Sequence, residues 1–168
     1  VICVRYPQSR IPAEFFRDRI VPEVRAGKLL IFSAYGSLPL GKFLGDPSFD
    51  LNWSGWGIDP ERKTVFTAAG DWSSSPRDLL SKIKGALAPS SGYKPVAADG
   101  WDVMASLKMK SGEVFHYLLS KKLGEGRVVV TSGDFGIGGG CAVFGSGDVD
   151  SVVFLLDNLF KAYFSEVK

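Results

Sequence analysis

The chain has 168 residues, a hydrophobic fraction of 45% and a charged fraction of 23%, which fit one globular domain with a sizeable core. A formal net charge of +2 gives no strong field for nucleic acid or an anionic membrane, and no apolar run reaches the roughly 18 residues that cross a bilayer. Composition therefore predicts a soluble chain with neither nucleic-acid binding nor membrane insertion, and it leaves the cellular compartment unknown.

The first 35 residues carry the pattern of a strand, a helix and a second strand. Residues 1–6 predict a short buried strand, and Pro12 suits the first turn of a helix that Pro22 should kink or restart. Residues 29–35 are almost continuously apolar, which is typical of a strand covered on both faces. We therefore expect a βαβ unit. The apolar side of its helix should comprise Phe15, Phe16, Ile20 and Val24.

The middle of the chain is less periodic. Residues 36–57 predict an excursion over the strand ends with one helical turn at 40–44. A hairpin turn at 110–112 and a second turn at 124–126 should connect successive strands. Strands are predicted at 63–69, 93–98, 101–109, 113–123 and 127–131, and helices at 75–87 and 149–164.

The glycine-rich segment 132–147 directly follows the apolar strand 127–131. Open α/β sheets bind ligands at the carboxyl ends of their strands, so we expect a ligand site there. The candidate ligand-binding residues are Asp134, Phe135, Gly136, Gly138, Tyr35, Trp53 and Trp56. A phosphate loop is disfavoured, because no G-x-G-x-x-G or Walker spacing runs through the segment and Asp134 would repel an anion.

Candidate catalytic groups are weighed against structural roles. Cys141 lies in the glycine-rich segment and could pair with His116, the sole histidine, but a structural histidine and an incidental cysteine are favoured. Loop aspartates could supply a carboxylate pair, yet no motif ties two together and aspartate is a common turn former. One histidine without clustered ligands predicts no metal site.

Aromatic residues gather near the predicted loops and strand ends. Exposed rings there could stack on a sugar or anchor a protein interface, whereas buried rings would cap the core. Both readings remain open from sequence. The residues concerned are Trp53, Trp56, Trp72, Trp101, Tyr35 and Tyr93.

Two segments resemble class I glutamine amidotransferase-like domains. In the first segment, residues 5–12 lead into a helix that ends at Arg25-Ala26-Gly27-Lys28 before an apolar strand. The second segment comprises residues 124–135 and the later helix around 154–160. It resembles the end of such domains in β-galactosidase trimerisation modules and other non-amidotransferase relatives. The resemblance, with the predicted hairpin, implies an α/β fold: a flavodoxin-like three-layer sandwich with a mostly parallel sheet and a C-terminal antiparallel hairpin.

Other features concern domain extent and activity. The chain starts without Met and inside a strand, so we expect residues 1–168 to form a single such domain from a longer chain, with N-terminal strands missing. The family's nucleophile elbow and His-x-Glu motif are not found: Cys141 follows the last predicted strand, and His116-Tyr117-Leu118 lacks the glutamate. No catalytic residue or cofactor is therefore assigned. We expect a non-catalytic binding, assembly or interaction domain with a protein partner or self-association and a carbohydrate as a further ligand; the alternative is a hydrolase of carbohydrate or amide substrates acting at the C-terminal strand ends.

Overall fold

The computed structural model describes residues 1–6, 11–34, 39–54, 63–66, 92–108 and 112–131. The strands in these ranges are β1 (Ile2–Tyr6), β2 (Leu29–Ala34), β3 (Leu51–Ser54), β4 (Lys63–Phe66), β5 (Gly92–Pro95), β6 (Trp101–Lys108), β7 (Val114–Leu123) and β8 (Gly126–Thr131). The helical elements are α1 (Ala13–Phe15), a π-helical turn (Phe16–Ile20), α2 (Val21–Arg25), α3 (Leu40–Leu44) and a 3₁₀ turn (Pro47–Phe49).

The predicted βαβ unit is confirmed. β1 and β2 are parallel, and α1, the π-helical turn and α2 connect them as one helical segment, 13–25. The α-helical register restarts at Val21 because Pro22 has no N–H to donate to the preceding turn. The segment ends in a Schellman motif, in which Gly27, at φ 114°, donates to the Val24 carbonyl at 2.9 Å.

The helical elements pack on one face of the sheet. Phe16, Ile20 and Val24 follow one another at four-residue spacing and are buried in the core. Phe15, which we expected on the same side, is 49% exposed because it lies about 100° around the helix from Phe16. The core also takes in α3, the 3₁₀ turn and the facing side chains of β2, β7 and β8.

The sheet is mixed and mainly antiparallel. Its order is β1-β2-β8-β7, with β6 and then β4 continuing from β7, while β5 also pairs with β7 and carries β3. Only β1–β2 and β2–β8 are parallel among the described pairings. The expected mostly parallel sheet is therefore wrong, although the antiparallel β6–β7 hairpin is present.

The flavodoxin-like three-layer α/β sandwich is also wrong. The structure is mostly strands with one 13-residue helical segment, and the described helices cover a single face. The physical reason is the length of the connection between β7 and β8. It is the two-residue turn Gly124-Glu125, which is too short for the crossover helix that parallel strands need. The helices predicted at 75–87 and 149–164 lie outside the described residues.

The middle of the sheet is buried on both sides. In β2, Leu29, Leu30, Ile31 and Phe32 are at most 2% exposed, and in β8, residues 128–130 are fully buried. The prediction that strand 29–35 is covered on both faces is thus confirmed for the first four of its residues. Within the part of the chain that the structure describes, no helix is long and apolar enough to cross a membrane.

Candidate functional site

Three parallel strands end side by side. Tyr6 of β1 is in register with Ala34 of β2, and Thr131 of β8 is in register with Ser33. We call this end of β1, β2 and β8 the ligand edge, because carboxyl ends of neighbouring parallel strands are where open sheets hold ligands. In the sequence, the predicted site residue Tyr35 comes directly after β2 and Asp134 comes three residues after the end of β8, so the strands that lead to them end together.

β5 continues along β7 beyond the end of β8. Leu118 of β7 pairs with Thr131, the last residue of β8, and two residues earlier His116 pairs with Tyr93 of β5. Both β7 residues also pair with β6, so β8 and β5 must share the other side of β7. β3 pairs with the edge of β5 that faces away from β7, and β2 likewise pairs with the edge of β8 that faces away from β7. The ligand edge therefore faces the β3–β5 pair.

A row of three ring side chains crosses this region. Trp53 pairs with Tyr93, and Tyr93 pairs with His116. Directly paired residues of antiparallel strands project to the same face, so these three side chains form one line, which we call the aromatic row. Tyr93 is fully buried, whereas Trp53 and His116 are partly exposed. The indole of Trp53 thus packs partly against the core, with its Nε1 buried, and leaves only part of its surface exposed.

The surroundings of His116 favour the neutral form of its imidazole. Burial, and then the positive charge of Lys94, lowers the pKa of His116 below its ordinary value of 6.5. Lys94 itself binds Glu113 at 3.3 Å and lies 4.3 Å from the centre of the Phe115 ring. A neutral imidazole both donates and accepts hydrogen bonds, which suits a polar ligand. The suggested pairing of His116 with Cys141 stays a prediction, since Cys141 lies outside the described residues.

Of the seven predicted site residues, Trp53 lies within the described ranges, whereas the other six lie outside them: Tyr35, Trp56, Asp134, Phe135, Gly136 and Gly138. Phe135, Gly136 and Gly138 follow β8, and Trp56 follows β3 two residues after its end. Sequence reasoning had noted Tyr93 and His116 separately, but not their pairing. The alternating strand pattern around each was the available signal, and it does not reveal which strands become neighbours.

Another aromatic group serves the core rather than a surface. The rings of Phe49 and Trp101 meet edge to face at 5.8 Å, and the ammonium of Lys121 lies over both. Lys121 also donates to the backbone carbonyls of Ser48 and Asp99, at 2.9 Å each. For Trp101, the capping interpretation therefore describes the packing better than a binding surface does.

Three of the described aspartates support a turn, a loop contact and an ion pair. Asp46 accepts a hydrogen bond from the Ser48 N–H at 2.9 Å, and Asp50 accepts one from the Gly41 N–H at 3.0 Å. Asp102 forms an ion pair with Arg127. These contacts agree with the role of aspartate as a turn former. In the described ranges, no three His, Cys, Asp or Glu side chains gather closely enough to hold a metal ion.

Comparisons with known proteins do not assign the chain to a family. No protein-family model matches the sequence. No curated protein shows a significant match to it either. The geometry of the ligand edge and the aromatic row therefore carries the functional argument alone.

Proposed function

We propose that the chain is a non-catalytic binding domain whose ligand lies between the ligand edge and the β3–β5 pair. The observation that carries this proposal is the register of the strands, which sets the aromatic row opposite the ends of β2 and β8. Trp53 offers the exposed part of an indole that otherwise packs against the core, and His116 offers a polar ring whose surroundings favour its neutral form. Such a combination suits a ligand with an apolar face and hydroxyl or amide groups.

The non-catalytic part of the proposal is supported by the sequence. Amidotransferases, which the sequence resembles, carry a nucleophile elbow and a His-x-Glu motif. Neither motif is found in the 168 residues. Three of the described aspartates, moreover, are engaged in a turn, a loop contact and an ion pair: Asp46, Asp50 and Asp102. A protein partner, including a second copy, and a carbohydrate both have the required chemistry.

Binding can be followed through the rings of the row. His116 is the sole histidine and Trp53 is one of four tryptophans, so both give few, assignable NMR signals. We expect these two signals to shift either on titration with oligosaccharides or on raising the protein concentration, and the second outcome identifies self-association. If neither addition moves either signal, the proposed site is wrong for these ligands.

A matched pair of variants tests the role of Trp53. Trp53→Ala should weaken binding at least about tenfold, because buried aromatic anchors contribute most of the energy of such contacts. Phe15→Ala removes an aromatic ring that is 49% exposed on the helical segment 13–25, and it should leave affinity unchanged. Equal affinities of the two variants would contradict the proposal. Steady turnover of a glycoside or amide substrate would support the hydrolase alternative.

A further inference from the structure

The link between β5 and β7 is narrow. Four register pairs hold β3 to β5, whereas Tyr93 and His116 form the single register pair between β5 and β7. Side chains reinforce this junction through Lys94, which binds Glu113 at 3.3 Å and lies over the Phe115 ring. Among the described residues, the β3–β5 pair therefore meets β7 at a short junction centred on His116, while Tyr93 and Leu51 also pack in the core.

The positive charge of Lys94 acts on His116 across the junction. Lys94 lies on the neighbouring strand β5, and it also binds Glu113, the residue just before β7. On β6, the register partner of His116 is the uncharged Ser106. A proton added to His116 would thus place a second positive charge beside Lys94 in a partly buried position.

We propose that the junction between β5 and β7 is acid-sensitive, and that protonation of His116 loosens the β3–β5 pair from β7. The closed junction favours the neutral imidazole, whereas an opened junction exposes the ring to water, where it binds a proton more readily. Acid therefore shifts the balance toward the open form. Because the β3–β5 pair carries Trp53 and faces the ligand edge, opening also disassembles the aromatic row.

The direction and limit of the effect follow from proton linkage. The pKa of His116 is below 6.5 in the folded protein, so the open form gains protons first as the pH falls through 6.5. Between pH 7.5 and pH 5.5 the ratio of open to closed junctions should rise by up to about tenfold. Above pH 7.5 the ratio should be constant.

Hydrogen exchange of backbone amides tests this inference without any ligand. After correction for intrinsic exchange rates, protection of the β3 and β5 amides should fall several-fold between pH 7.5 and pH 5.5. Protection of the β2 and β8 amides, such as those of Ile31 and Val129, should change less than about twofold, because these strands lie in the buried middle of the sheet. An equal fall across all four strands would show global destabilisation and overturn the proposal.

The variant His116→Gln keeps a neutral polar side chain that does not titrate. In this variant, the protection of the β5 amides should not depend on pH. A pH dependence as large as that of the wild type would overturn the proposal. If the variant does not fold, the comparison of β5 with β8 in the wild type still decides. The inference goes beyond the proposed function, because the two tests are independent. Ligand binding can be observed when the junction is not acid-sensitive, and the junction can be acid-sensitive when no ligand binds.

Discussion

At the scale of single residues, Gly126 has the least room for a Cβ atom among the described glycines. A Cβ atom there would overlap the carbonyl oxygens of Val24 and Lys28, which end the helical segment and lead into β2. The turn between β7 and β8 can therefore lie against the end of the helix only because residue 126 lacks a side chain. Glu125 and Arg127 fix this approach by donating to the carbonyls of Arg25 and Lys28, at 3.0 and 3.3 Å.

We predict that Gly126→Ala lowers the free energy of unfolding by at least about 2 kcal/mol, since backbone must move to admit the methyl group. Gly112→Ala is the matched control. Gly112 has φ 87° but open space around its Cβ position, so its replacement should cost only about 1 kcal/mol of backbone strain. Urea unfolding followed by circular dichroism measures both, and equal losses would count against the close approach.

Asp46 gives a prediction for strongly acidic conditions. Its pKa is lowered chiefly by the hydrogen bond from Ser48, so the folded state holds the charged carboxylate more tightly than the unfolded chain does. This contribution is complete above the ordinary value of 3.8 and is lost as the pH falls through the lower folded value. Asp46→Asn should therefore flatten the stability profile below pH 4, by less than about 1 kcal/mol. Parallel profiles for the variant and the wild type, measured by urea unfolding, would argue against it.

At the scale of elements, Lys121 ties the 3₁₀ turn to the β6–β7 hairpin. Its ammonium donates to the carbonyl of Ser48 in the 3₁₀ turn and to the carbonyl of Asp99 just before β6. The same ammonium lies over the rings of Phe49 and Trp101. Lys121→Met keeps an apolar stem of similar length but leaves both carbonyls without this donor. We expect a loss of about 1–2 kcal/mol in the free energy of unfolding.

The neighbouring residue provides the control for this change. Lys122 is exposed on the adjacent position of β7, and Lys122→Met should change stability by less than about 0.5 kcal/mol. Thermal or urea unfolding of the two variants compares them directly. A loss at Lys122 as large as that at Lys121 would show that the carbonyl contacts do not matter.

Local patterns predicted most of the described elements. The helical segment, the turn at α3 and strands β1, β2, β4, β5, β6, β7 and β8 all coincide with predicted elements to within a few residues. β3 was missed because it occupies only four residues of an irregular stretch, Leu51–Ser54, too few for a clear alternation. Short strands depend on their neighbours for pairing, and sequence alone does not name those neighbours.

At the scale of the whole molecule, the arrangement of strands was the part that sequence could not supply. The βαβ pattern at the N-terminus is local and was predicted correctly. The prediction of a mostly parallel sheet was wrong, because the later strands pair as antiparallel hairpins. For the candidate site, Trp53 was predicted from its residue type and its place near a strand end, and its binding role stays a prediction. Its alignment with Tyr93 and His116 depends on two pairings between distant segments, which no local pattern encodes.

The place of β8 between β2 and β7 has a consequence for how the chain folds during synthesis. Leu29 pairs with Arg127, about 100 residues later in the sequence, so β2 waits for its second neighbour until nearly the whole described chain has been made. Until then, the unfinished chain carries an apolar strand with an open side, which is the kind of surface that associates with other chains. We expect truncations that end before β8 to aggregate on the ribosome or soon after release, while the full chain folds slowly and remains dispersed.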